Sequence, residues 1–161
     1  VQAAHDQGFT EPDPRDDLSG QDVARKLLIL ARQLGRKMDL KNITGENLVP
    51  PALRTGKFSE GFYSRYRQID TSMKRRFDAA QSRRSVLRYV GTLTTTKAFA
   101  RIQEIPLGHP LASTQGSDNI SAFTTQRYSH TPLVVQGPGA GADVTAMGVF
   151  SDILKLLHYL P

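Results

Sequence analysis

The chain reads as an α+β protein, a mixed β-sheet with helices packed on one face. Three observations point there. Apolar residues recur at helical spacing in Val23–Leu34, in Phe62–Phe77 and again in Val144–Leu157. Two strand-like runs, Val86–Leu93 and Lys97–Ile105, flank the threonine turn Thr94–Thr96. Two shorter strand candidates, Ile120–Thr125 and Leu133–Gln136, follow them. A length of 161 residues fits one domain of ordinary size, and a hydrophobic fraction of 39% is enough to bury a core.

In chain order, Val1 to Gln7 reads as the end of a helix already under way, so the chain is expected to be cut from something longer. Gly8 to Gly20 is a polar loop carrying Glu11, Asp13, Arg15, Asp16 and Asp17, held extended by Pro12 and Pro14. A helix is predicted over Gln21–Leu34, with Ser19 as N-cap, Asp22 completing a capping-box-like pair and Gly35 as the stop. Its apolar stripe is Val23, Leu27, Leu30 and Leu34. Ile43–Val49 is a strand candidate closed by Pro50 and Pro51. After Ser59 a second helix places Phe62, Tyr66, Ile69, Met73 and Phe77 on one side. The glycine-rich stretch Gly137–Ala142 then leads into a final helix, Asp143–Leu160, with Val144, Met147, Leu154 and Leu157 on one side.

Composition excludes several classes. Cysteine is absent, which rules out disulfides and thiolate metal sites and fits a reducing compartment. No apolar run approaches the roughly 20 residues a membrane span needs. The formal charge of +6 suits nucleic acid, an anionic cofactor or plain solubility. Lys74, Arg75, Arg76, Arg83 and Arg84 cluster late in the second helix, where the helix dipole already favours cations. Without interleaved aromatics or a known module, nucleic-acid binding ranks last.

Two places could carry chemistry. Asp22 and Lys26 are four residues apart and share one side of a helix. Lys26 falls on the flank of the stripe, roughly 80° from its centre at about 100° per residue, where partial desolvation would help it exchange protons. An ordinary surface ion pair explains the same spacing, and spacing alone favours that. Arg25 and Arg32 point the other way, as solvated charges. The carboxylates of the preceding loop are either a solvated turn or a cradle for an ammonium group. The second place is Gly137–Ala142, between a strand and a helix, where close backbone approach or an anion at the helix start is possible. It lacks Walker and GxGxxG spacing, so tight packing explains it equally well. His5, His109, His130 and His158 show no metal-ligand spacing, and no Gly-x-Ser-x-Gly elbow occurs.

The stretch from Gly8 to Lys26, GFTEPDPRDDLSGQDVARK, resembles the signature of the homoserine dehydrogenase family. Gly116-Ser117-Asp118-Asn119-Ile120, Ala122–Thr125, Gly137–Ala142, Val144–Ala146 and Phe150–Leu154 match as well, as does Arg88–Gly91, in wording nearest to the plant bifunctional aspartokinase–homoserine dehydrogenases. The resemblance is looser over residues 40–84.

It implies NADPH- or NADH-dependent reduction of L-aspartate 4-semialdehyde to L-homoserine, on the way to threonine, methionine and isoleucine. By position it makes Lys26 the catalytic proton donor and Glu11, Asp17 and Asp22 substrate-binding acids. Gly8 becomes a backbone contact to substrate, Gly139 and Gly141 contacts to the cofactor, and no metal ligand is carried over. Residues 1–136 become a substrate-binding and dimerisation domain, and residues 137–161 a glycine loop and C-terminal helix that would complete a Rossmann domain absent from this chain. The implied partners are the substrate and a second copy in a homodimer, with no nucleic acid and no membrane. The location is the chloroplast for a plant protein and otherwise the cytoplasm. Lacking the Rossmann half, the chain is expected to be inactive alone, and its last helix to expose an apolar patch. The alternative is a non-catalytic remnant acting as a dimerisation or association module.

Overall fold

The computed structural model describes residues 1–116, 118–139 and 141–159. The chain divides into two compact units, Val1–Glu104 and a second from Ile105 onward.

In the first unit, α1 (Gln2–Asp6) and α2 (Pro14–Leu18) are short helices that precede α3 (Gln21–Gln33). A 3-10 turn at Leu40–Asn42 leads to β1 (Thr44–Gly45), and a second at Pro51–Leu53 leads to α4 (Gly61–Tyr66). A third, Arg67–Ile69, joins α4 to α5 (Asp70–Ser82), which is followed by β2 (Ser85–Leu93) and β3 (Ala98–Pro106). The sheet order is β1-β3-β2. β1 runs parallel to β3, with Thr44 opposite Phe99 and Gly45 opposite Ala100. β2 and β3 are neighbours joined by a four-residue turn, far too short for a parallel crossover, so they form the predicted hairpin. The Thr94 N–H donates across the turn to the Lys97 carbonyl at 2.8 Å. The sheet is therefore mixed, with α3 and α5 packed against β2.

Two apolar clusters hold this unit. Ala24 and Leu27 of α3 meet Ile43, Ala98 and Ala100, with Tyr89 and Leu93 alongside. Gly91 admits the helix: a Cβ there would stand 2.8 Å from Val23 Cγ1 and 3.2 Å from both Leu27 methyls. The second cluster, Val49, Leu53, Phe62 and Tyr66, lies under Leu18, Phe58, Tyr63 and Ile69. Burying a side chain such as Phe62 contributes about 1.5–3 kcal/mol.

Several expectations shift. The acid loop contains a helical turn, α2, because Asp13 caps it and Pro14 occupies its first turn. Gly20, at φ 73°, is the N-cap of α3 in place of Ser19, and Asp22 forms no capping box. Ser19 Oγ still accepts the Gln21 N–H at 3.2 Å. The buried stripe of α3 is Ala24, Leu27 and Ala31, while Leu30 and Leu34 are exposed, Leu34 at 72%. Small alanines let the helix lie closer to the sheet, which turns the larger leucines outward. The strand expected over Ile43–Val49 shortens to β1, and Val49 goes into the second core. The second helix breaks into α4 and α5 around its 3-10 turn, which changes the phase and leaves Phe77 exposed.

The second unit has a 3-10 turn at Pro110–Ser113 and an antiparallel pair, β4 (Asp118–Phe123) and β5 (Leu133–Pro138), in register from Asp118 opposite Pro138 to Phe123 opposite Leu133. The helix α6 (Ala142–Tyr159) follows, and none of its described residues is buried. Val144, Met147, Phe150, Ile153, Leu154 and Leu157 are all exposed, the expected apolar patch. Leu160, Ala140 and Ser117 lie outside the described residues. Among the described residues no helix is long and apolar enough to cross a membrane.

Candidate functional site

The acid loop is built around one carboxylate. Asp13 caps α2 by accepting the Arg15 N–H at 3.0 Å, and it grips the Arg15 guanidinium, Nε at 2.9 Å. The hydrogen bond from the Arg15 side chain holds the Asp13 carboxyl below its ordinary value. Arg15 continues to the carbonyls of Leu53 at 3.2 Å and Gly56 at 3.1 Å. Farther round α2, Asp17 Oδ2 accepts the backbone N–H of Glu11 at 3.0 Å. One Asp17 oxygen thus fixes the path of the loop, and the Glu11 side chain is left in solvent. Gly8, at φ 74°, closes α1 with its N–H on the His5 carbonyl at 2.9 Å.

The start of α3 rests on the sheet. Tyr89 Oη donates to the Glu46 carbonyl at 2.8 Å and lies under Gly20, where a Cβ would come within 1.9 Å of it. Glu46 accepts from Arg76 at 2.7 Å and from the Ile102 N–H at 2.8 Å. Partial burial would raise the Glu46 carboxyl, but these two donors outweigh it and hold it below the usual value. Lys74 pairs with Asp78 at 2.7 Å and Arg83 with Glu104, so three members of the basic cluster, Arg76 included, face carboxylates.

From that fixed start, α3 presents Asp22 and Lys26 as an ion pair at 2.8 Å, both side chains 60% exposed. The expected partial desolvation of Lys26 is not there. With the stripe centred on Ala24, Leu27 and Ala31, Lys26 lies roughly 130° from that centre at about 100° per residue, on the outer face. An exposed pair of this kind contributes about 0.3–0.5 kcal/mol to stability, so its geometry is cheap to keep and leaves the ammonium open to a ligand. Arg32 is solvated, as expected, and its exposed side chain pairs with Asp39 at 3.6 Å.

The structure therefore brings Glu11 together with Asp17, and Asp22 with Lys26. Among the described residues no hydrogen bond or ion pair joins one pair to the other. One concavity of the first unit, of about 470 Å³, is lined by Arg36, Lys37, Thr44, Lys97 and Phe99, beyond the C-terminal end of α3. In the second unit Gly139 sits against Asn119, whose Nδ2 would lie 1.6 Å from an added Cβ. Gly141, at φ 133°, has open space there and accepts the Thr145 N–H at 3.0 Å at the start of α6. A glycine just ahead of an 18-residue helix suits an anionic group such as a cofactor phosphate. Sequence reasoning passed over Arg15 and Tyr89. The Asp-Pro-Arg-Asp order of a capped helical turn was the available signal for Arg15, and local sequence carries none for Tyr89.

These features define the class: a mixed sheet under a helix that presents a carboxylate–lysine pair after a capped acid loop, and, in the second unit, a glycine just ahead of a last helix. The family model for homoserine dehydrogenase matches residues 1–154, and the chain belongs to that family of NAD(P)-dependent oxidoreductases. It is 49% identical to the chloroplastic bifunctional aspartokinase/homoserine dehydrogenase 1 of Arabidopsis thaliana, the match covering 99% of this chain and 18% of that protein. Identity to the homoserine dehydrogenase of Emericella nidulans is 43%, covering 99% of this chain and 45% of the relative. The chain thus spans about a fifth of the plant relative and under half of the fungal one. A crystal structure from Candida auris, of a protein described as of unknown function, superposes with a TM-score of 0.91 at 40% identity over 98% of this chain and 45% of that one. The S. aureus homoserine dehydrogenase, at 20% identity and a TM-score of 0.69 over 99% of this chain and 36% of that one, shares the fold.

Proposed function

We propose that this chain is the substrate side of a homoserine dehydrogenase that reduces L-aspartate 4-semialdehyde to L-homoserine and works with a nucleotide-binding half outside these residues. The observation that carries the reading is the Asp22–Lys26 pair: a lysine ammonium steered by one carboxylate at 2.8 Å and open to solvent, at the end of the Gly8–Lys26 stretch that resembles the family signature. When bound, the reduced form of the nicotinamide cofactor (NADP or NAD), NADPH or NADH, would supply hydride to the aldehyde carbon. Lys26 gives the proton that the developing alkoxide oxygen takes up, and its positive charge stabilises that oxygen as charge grows. Glu11, Asp17 and Asp22 supply negative charge for the substrate ammonium, and the Gly8 backbone supplies a further contact to substrate. Gly139 and Gly141, ahead of α6, would accept the cofactor's anionic part.

The residue roles divide as 1–136 for substrate and dimer contacts and 137–161 for the return to the nucleotide-binding half. A homodimer is part of the proposal, as is a plastid location for a plant protein, since the plant relatives are chloroplastic. The test is NADPH oxidation with aspartate semialdehyde, by the chain alone and with a separately produced nucleotide-binding half. Turnover that requires both parts supports the reading. Folded protein without turnover in either mixture overturns it.

A second reading rests on α6, whose exposed apolar residues suit association with another chain. On that reading the chain is a non-catalytic association module. Mixing it with full-length enzyme and finding a changed oligomer size with no gain in turnover favours it.

A further inference from the structure

We propose that Arg15 is a positioning residue for substrate recognition: it clamps the acid loop to the second core and so sets where Glu11 and Asp17 stand. This rests on the proposed function. The contacts run in one unbroken series. Leu53 is buried in the core of Val49, Phe62 and Tyr66. The Leu53 carbonyl accepts from Arg15 Nη1 at 3.2 Å, the Gly56 carbonyl from Nη2 at 3.1 Å, and the Thr55 carbonyl lies 3.4 Å from Nη1. On its other side the guanidinium is held by both oxygens of Asp13, with Nε at 2.9 and 3.0 Å. Asp13 caps α2, α2 carries Asp17, and Asp17 holds the Glu11 N–H at 3.0 Å.

The side chain of Arg15 is only 15% exposed and lies 5.9 Å over the Phe58 ring. A cation taken so far out of water persists only where it is paired and hydrogen-bonded. Guanidinium is suited to this site and ammonium is not, because a planar fork reaches one carboxylate and several separate carbonyls at once. The segment it bridges is otherwise anchored by Pro14, which is buried, and by the Leu18 carbonyl, which accepts from the Leu48 N–H at 2.9 Å. The Leu18 contact holds the end of α2 that leads into α3, and Pro14 seats its first turn. Arg15 adds the polar hold on that first turn, on the side that leads back to Glu11, so its loss loosens the recognition loop and leaves the α3 helix in place.

The variants are Arg15→Gln, Arg15→Lys and Asp13→Asn, the last keeping a good N-cap while removing the charge that grips Arg15. In the full chain, the expected result is a fall in the backbone order parameter of Glu11 from about 0.85 to below about 0.6, with the α3 amides unchanged. In the two-part assay, KM for the semialdehyde should rise tenfold or more, the loss of one charge-assisted hydrogen bond, while kcat and the KM for NADPH stay within about twofold. Arg15→Lys should behave like Arg15→Gln. An unchanged Glu11 order parameter in Asp13→Asn, or a loosened loop with unaltered KM, overturns the assignment. So does a uniform loss of folded protein with normal KM in the fraction that remains, which is what a purely structural role gives. If the wild-type mixture never turns over, the proposed function falls, and the order parameters still decide the clamp.

Discussion

The two units treat apolar side chains differently. In the first, Phe62, Val49 and Ala100 are buried in packed clusters even though Leu34 and Phe77 stay exposed, and Asp13, Arg15, Glu46 and Arg76 are tied into a capped turn and ion pairs. In the second, α6 is as rich in Leu, Ile, Val, Met and Phe as any core helix, and none of its described residues is buried. Water-exposed apolar area on this scale belongs to a surface meant for contact. The first unit is a packed platform that sets side chains in place, and the second leaves the apolar side chains of its helix uncovered.

The largest stability effect that sharpens this contrast is Phe62→Ala. Emptying a fully enclosed site stacked on Tyr66 at 5.2 Å should cost about 3–5 kcal/mol in denaturant unfolding of the chain. Gly20→Ala comes next, at about 1–3 kcal/mol, since it forces a side chain into positive φ and onto Tyr89 Oη. The cost should shrink in a Tyr89→Phe background, which a double-mutant cycle measures. Glu46 tests the platform through pH. Its carboxyl lies lower in the folded chain than its ordinary value of 4.5, so it contributes stability above that value and loses it as pH falls through the folded one. Wild type should be more stable than Glu46→Gln near neutrality, with the gap closing on acidification below about pH 4.5 in urea titrations. The smallest effect belongs to α6: Leu154→Ser should stay within about 0.5 kcal/mol in the isolated chain, because the site is already wet. A loss as large as that of Phe62→Ala would break the contrast.

Much of this was legible beforehand where periodicity and turn chemistry act alone. The α3 helix, the hairpin around Thr94–Thr96, the separate strands β4 and β5 and α6 each carry a pattern complete within its own residues. What escaped depended on contacts distant in sequence. Leu30 looked like core until Ala24 and Ala31 took the sheet-facing side, a choice made by the flat surface of Ala98, Ala100 and Gly91. Ser19 looked like the N-cap until Tyr89, nearly 70 residues on, selected Gly20. The candidate site divides the same way. Asp22 and Lys26 were readable as a pair from their spacing, but the exposure of Lys26 followed from which stripe was buried. Arg15 could have been suspected from the Asp-Pro-Arg order, but its carbonyl partners at Leu53 and Gly56 could not.

The most direct measurement is turnover of Lys26→Ala, assayed by NADPH oxidation with aspartate semialdehyde in the presence of a nucleotide-binding half, alongside its melting temperature. Turnover should fall by about 10²–10⁴-fold, the span of a lost general acid, while the melting temperature barely moves because the ion pair with Asp22 is exposed. Turnover at the wild-type rate would make Lys26 an ordinary surface charge and contradict the account.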